Sequence, residues 1–195
     1  NLNEADTSDE LQAIAIELQP ELTALSNDIS LNPELFKRVK YVYEHPGLFL
    51  SKEDKQLLEK SYKDFVRSGA NLSEQDKEFY RQYTSELSSL TLKFGQNSLA
   101  ATNAYSYNIT NPKQVEELPS FVKEGLAMEA KARGEKGWTV TLKAPSYVPF
   151  ITYSSQRDIK EKLWKANNSR ALGGKFDNSE NIRQITALRL KIANL

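Results

Sequence analysis

The sequence predicts a mainly α-helical chain: a bundle or array of helices interrupted by one small two-stranded antiparallel β element at about residues 104–110 and 138–143. Three observations carry this. Apolar residues recur every three or four positions through most of the chain, which puts them on one side of a 3.6-residue turn. Ser- or Asn-led caps and Gly or Pro stops punctuate those runs. In two short segments the apolar period drops to two, the spacing that places alternate side chains on one face of a strand.

Residues 5–18 read as an amphipathic helix, with Ala5, Leu11, Ile14, Ala15 and Leu18 at helical spacing. Pro20 either kinks it or opens a new helix at its first position, where a missing N–H is tolerated. Leu22, Leu25 and Ile29 carry the stripe onward. Asn32-Pro33 caps the next helix, whose stripe is Leu35, Phe36, Val39, Val42 and Tyr43. His45-Pro46-Gly47 ends it, because the residue before proline is pushed out of the helical region and glycine supplies the turn. Ser51-Lys52-Glu53-Asp54 and Ser73-Glu74-Gln75-Asp76 are helix N-caps with an acid at the third helical position. Each follows a leucine, Leu50 or Leu72, placed as a hydrophobic staple. The first opens a helix to about Ser68, closed by Gly69; the second opens a long helix through Phe79, Tyr83, Leu87, Leu90 and Phe94 to about Ala101. The two caps have no third copy, which argues against a repeat solenoid.

Tyr105, Tyr107 and Ile109 alternate with polar residues, as do Trp138, Val140 and Leu142, giving two antiparallel strands each with one buried face. Between them Gln114–Arg133 reads as a helix and Gly134-Glu135-Lys136-Gly137 as a turn. Pro145 and Pro149 bracket Tyr147–Tyr153, which suits helical turns or strand. Gln156–Arg170 is a helix with Ile159, Leu163 and Trp164 on one face. Gly173-Gly174 breaks it, and Asp177 or Ser179 caps a last helix that runs to Leu195.

Lys+Arg and Asp+Glu both number 26. The chain therefore lacks the basic surplus a nucleic-acid partner demands. Without cysteine it has no disulfide, thiolate zinc site, iron–sulfur cluster or cysteine nucleophile. A single histidine rules out a multi-histidine metal site within it. No apolar run approaches the ~20 residues of a membrane span, so no membrane partner is expected. No signal peptide opens the chain. These features suit the cytoplasm, although lack of cysteine is also compatible with the periplasm. Residues 1–35 carry eight acids and no Lys or Arg, whereas residues 156–195 carry nine basic residues against four acids. The plain reading is solvated helix faces, and the sharper one a polarised binding surface.

No catalytic, cofactor-binding or metal-ligating residue is assigned. His45, beside a proline, is expected at a helix C-terminus. Gly173-Gly174-Lys175 lacks the upstream glycine of a phosphate loop, since position 169 is Ser169. The acid pairs Glu53/Asp54 and Glu116/Glu117 fall near expected helix starts, where the dipole favours them. Asn71, Asn108 and Asn167 each head a glycosylation sequon, a cheap match.

The ordered string of the C-terminal third is distinctive. It runs Gly137-Trp138-Thr139-Val140-Thr141-Leu142, Pro145-Ser146-Tyr147-Val148-Pro149-Phe150, Arg157-Asp158-Ile159 through Trp164-Lys165-Ala166, Ser169-Arg170-Ala171, and Leu188 through Leu195. Upstream stand Asp28-Ile29-Ser30-Leu31-Asn32-Pro33, Asp64-Phe65-Val66-Arg67-Ser68-Gly69-Ala70 and Leu118-Pro119. This series resembles the region before the catalytic core of M3-family zinc metallopeptidases, the peptidyl-dipeptidase Dcp branch with oligopeptidase A and thimet oligopeptidase as relatives. The resemblance implies that residues 1–195 are one N-terminal, noncatalytic helical region of a larger peptidase. Its parts are helices at about 5–101, a hairpin plus helix at about 104–143, and C-terminal helices at about 145–195. The start without Met and the unstopped last helix lead to the same expectation of an excised piece. The resemblance further implies an intact parent that binds zinc through a His-Glu-x-x-His helix and removes C-terminal dipeptides from short oligopeptides in a channel. Its partners are then oligopeptide substrates and the missing catalytic region, and this piece alone neither binds zinc nor cleaves. The alternative is a free-standing helical protein-interaction module without catalysis.

Overall fold

A computed structural model describes residues 7–195. Among the described residues are eight α-helices and one two-stranded antiparallel sheet, the mainly helical class with one small β element that the sequence predicts. The order is α1 (Asp9–Ser30), α2 (Pro33–Glu44), α3 (Lys52–Arg67), α4 (Glu74–Ala104), β1 (Ser106–Ile109), α5 (Ser120–Ala132), β2 (Trp138–Thr141), α6 (Ala144–Tyr153), α7 (Arg157–Asn168) and α8 (Ser179–Ala193). Short 3₁₀ turns stand at Pro112–Gln114 and Gly174–Phe176. The chain divides into two compact units, one of residues 7–93 with Asn181–Leu195, the other Phe94–Glu180.

In the first unit the caps form as the sequence indicates. Asn32 Oδ1 accepts from Glu34 N at 3.0 Å and Leu35 N at 2.9 Å. The first helix, expected from residue 5, starts instead at Asp9, because Ser8 Oγ accepts from Leu11 N and caps it there. Ser51 and Asp54 form a reciprocal capping box. Ser73 Oγ accepts from Asp76 N at 3.1 Å and donates to Asp76 Oδ2 at 2.7 Å. Of the two alternatives at Pro20, a new helix does not form: Pro20 sits inside one continuous helix. Ala5, Glu4 and Asp6, part of the expected first helix and acidic run, lie outside the described residues. Helices α2 and α3 pack as a hairpin through Phe36, whose ring lies 5.9 Å from that of Tyr62 and 6.1 Å from that of Phe65. Gly69 terminates α3 at φ +86°, and a Cβ there would stand 2.8 Å from Leu72 Cδ1.

The second unit holds the main core: Ile109, Val115, Leu118, Val122, Leu126, Val140, Phe150, Ile159 and Leu163. The strands pair Ser106 with Thr141, Tyr107 with Val140, Asn108 with Thr139 and Ile109 with Trp138. Strand β2 does not have the single buried face expected of it: Thr139, Val140 and Thr141 are all buried, because α5 and α6 pack on it. The helix expected over Gln114–Arg133 starts only at Ser120. Pro119 lacks an N–H and disfavours helical geometry at Leu118, so residues 115–118 form turns, after a 3₁₀ turn at Pro112–Gln114. The ambiguous Tyr147–Tyr153 stretch is helical, with Pro145 in the first turn of α6. Trp164, expected on one face with Ile159 and Leu163, is exposed while those two are buried.

Candidate functional site

Each residue singled out in the sequence has a structural place. His45 is the C-cap of α2, its Nδ1 3.0 Å from the Tyr41 carbonyl oxygen and its ring stacked on Tyr41 at 4.5 Å. Asp54 is spent on the α3 cap, and the Ser51 hydroxyl and then the Ser51 amide hold its carboxyl below the usual carboxylate range. Glu117 does not sit at a helix start. It accepts from Ser155 N at 2.5 Å and Ser155 Oγ at 2.8 Å, tying the segment before α5 to the entry of α7. Those two bonds, the hydroxyl first, hold its carboxyl low, so it stays an acceptor rather than an acid. Gly173-Gly174-Lys175 forms a turn closed by Asp177, whose Oδ1 accepts from Gly173 N at 2.9 Å and Ser179 N at 3.0 Å. Asn108, one of the sequon residues, has its amide nitrogen bonded to the Lys136 carbonyl and to Thr139 Oγ1, both at 3.0 Å.

Sequence reasoning missed two polar knots. Thr139 Oγ1 donates to Glu135 Oε2 at 2.5 Å while accepting from Asn108, so the turn before β2 is locked to β1. Buried Asn178 donates to the Phe94 carbonyl at 3.1 Å, and its Oδ1 accepts from Asn97 at 3.0 Å. Asn and Thr beside Gly-rich turns are the available signal for such locks, but their partners lie far away in sequence.

No reactive constellation forms among the described residues. No three His, Cys, Asp or Glu side chains there gather as a metal site. Burial pushes the Tyr105 hydroxyl up, Tyr107 adding to the effect and Lys162 opposing it, so it keeps its proton at neutral pH. No described helix is long and apolar enough to cross a membrane.

What the surface offers is apolar concavity. In the first unit a groove of about 420 Å³ lies between α2 and α3, floored by Val39, Val42, Leu50, Leu57 and Leu58 and edged by Arg38 and Asp54. The loop joining those helices exposes Leu48 at 94% and Phe49 at 99%. In the second unit a cavity of about 190 Å³ lies between α5 and α6 over Val122, Leu126 and Pro149, with Glu129 and Lys143 among its lining residues.

Over most of its length the chain is homologous to M3-family peptidases. The particular relatives are oligopeptidases A and dipeptidyl carboxypeptidases. A probable cytosolic oligopeptidase A of Arabidopsis thaliana is 32% identical over 95% of the chain and 28% of the relative. Oligopeptidase A of Haemophilus influenzae is 31% identical over 84% of the chain and 27% of the relative. Dipeptidyl carboxypeptidase of Escherichia coli is 33% identical over 86% of the chain and 25% of the relative. The chain thus spans between 24% and 30% of the length of the curated relatives it matches. No family model matches it.

Proposed function

We propose that this chain is the noncatalytic helical part of a zinc peptidase that removes C-terminal dipeptides from short oligopeptides, its helices walling the channel that admits them. The observation that carries this reading is homology to oligopeptidase A and dipeptidyl carboxypeptidase over most of the chain. The relatives' greater length leaves room for the catalytic half elsewhere in a longer polypeptide. The residues present do not fit a catalytic zinc: there is one histidine, and no three candidate ligands converge among the described residues. The chain's own contribution is therefore to shape, admit and exclude, and no chemical step is assigned to it. The exposed apolar groove and loop of α2 and α3 support a surface built to meet more protein.

The native coding sequence past Leu195 tests this. It is expected to run on into a His-Glu-x-x-His segment. A stop directly after Leu195 would leave the free-standing interaction module as the better reading.

A further inference from the structure

We propose that the outward apolar stripe of α1 docks an amphipathic helix with a basic edge, supplied by the rest of the longer polypeptide; the inference rests on the reading above. Helix α1 is amphipathic the wrong way round for a self-contained body. The side it turns toward α4 is polar. Asn27, its buried residue, donates from Nδ2 to Thr84 Oγ1 at 2.9 Å, and Gln19 and Thr23 lie half-buried on the same side. Ile14, Leu18, Leu22, Leu25 and Ile29 follow one another at steps of three or four, so they form one continuous stripe. Each is 44–58% exposed. At 1.5 Å per residue the stripe runs about 22 Å, the length of four helical turns.

The charge beside the stripe specifies what covers it. Glu10, Glu17, Glu21 and Asp28 fall along one edge at 100° per residue, where Arg81 of α4 meets Asp28 at 2.6 Å, and α1 itself carries no Lys or Arg. A covering surface must therefore be apolar in the middle and cationic along that edge. A second copy of α1 brings no cation and leaves those glutamates without counter-charge. An anionic bilayer is repelled by the same edge. A helix of the same polypeptide meets both needs, and the relatives are more than three times the length of this chain.

The test uses the polypeptide extended through its native downstream sequence. Carbodiimide cross-linking of the unsubstituted protein is expected to join Glu17 or Glu21 to a lysine beyond residue 195 of the same chain. Alkylation of Leu22→Cys is expected to run at least about tenfold slower than that of the exposed control Glu53→Cys, as for a covered side chain. Charge reversal in Glu17→Lys/Glu21→Lys is expected to bring the Leu22→Cys rate back toward the control. Cross-links between copies, or to a lysine within residues 1–195, overturn the proposal. So does Leu22→Cys labelling as fast as Glu53→Cys, and slow labelling that ignores charge reversal overturns the basic edge. Dipeptide release by the same extended polypeptide separates the two readings. An active protein with α1 open overturns the docking alone, and an inactive one with α1 covered overturns the peptidase reading alone.

Discussion

Gly137 shows how single residues hold the β element. It sits at φ +86°, and a Cβ there would stand 2.2 Å from the Ile109 carbonyl oxygen. Gly137→Ala is expected to lower stability by about 2 kcal/mol or more, combining left-handed strain with a backbone clash. Gly125, mid-helix in α5 with open space around it, is the contrast: Gly125→Ala is expected to gain about 0.5–1 kcal/mol from helix propensity. Urea midpoints of the two variants read both signs. Glu117 makes a pH prediction. Its folded pKa is depressed, so its contribution is present above the unfolded carboxylate pKa and is lost as pH falls through the folded value. Glu117→Gln is therefore expected to melt below the unsubstituted protein at neutral pH, with the gap closing in acid. A gap unchanged in acid contradicts the Ser155 assignment. Residues of this kind are half legible in sequence. Gly137 is visible as a turn glycine, but its clash partner lies across the sheet and Ser155 lies 38 residues from Glu117.

At the scale of elements, the helix starts were the most legible feature, because a cap is decided within four residues. Ser51→Ala removes the hydroxyl half of the α3 box, leaving the backbone N–H of residue 51 on Asp54, and is expected to cost about 1 kcal/mol, with Ser73→Ala similar at α4. Denaturant midpoints check both. Boundaries set by competition were less legible. The run from Gln114 to Arg133 has helical composition, yet Pro119 splits it, and only the N–H it lacks and the clash it imposes explain the start at Ser120. Periodicity also says which side chains share a face but not what that face meets. That is why Trp164 and the α1 stripe turn out exposed and why both faces of β2 turn out buried.

For the whole molecule, burial is unequal. Among the described residues, twelve of the sixteen buried apolar side chains lie in Phe94–Glu180. The other unit, by contrast, carries most of the large apolar side chains left exposed, including Leu48, Phe49 and the α1 stripe. Hydrogen exchange is expected to give α1–α3 clearly lower protection than β1, β2 and α5, since opening costs follow buried apolar contact. Equal protection in both would contradict the view of a first unit that awaits more chain. The mainly helical class with its one hairpin was legible from period alone, and the relationship to peptidases from the ordered string of residues. The chemistry was not, because this chain lacks the histidines that a zinc peptidase motif needs. The most direct test of the central claim is zinc-dependent release of dipeptides from an N-terminally blocked oligopeptide, assayed on this chain beside the polypeptide extended through its native sequence. Activity in the extended chain alone, abolished by a chelator, is the expected result. Inactivity in both, or zinc-dependent cleavage by residues 1–195 alone, would contradict it.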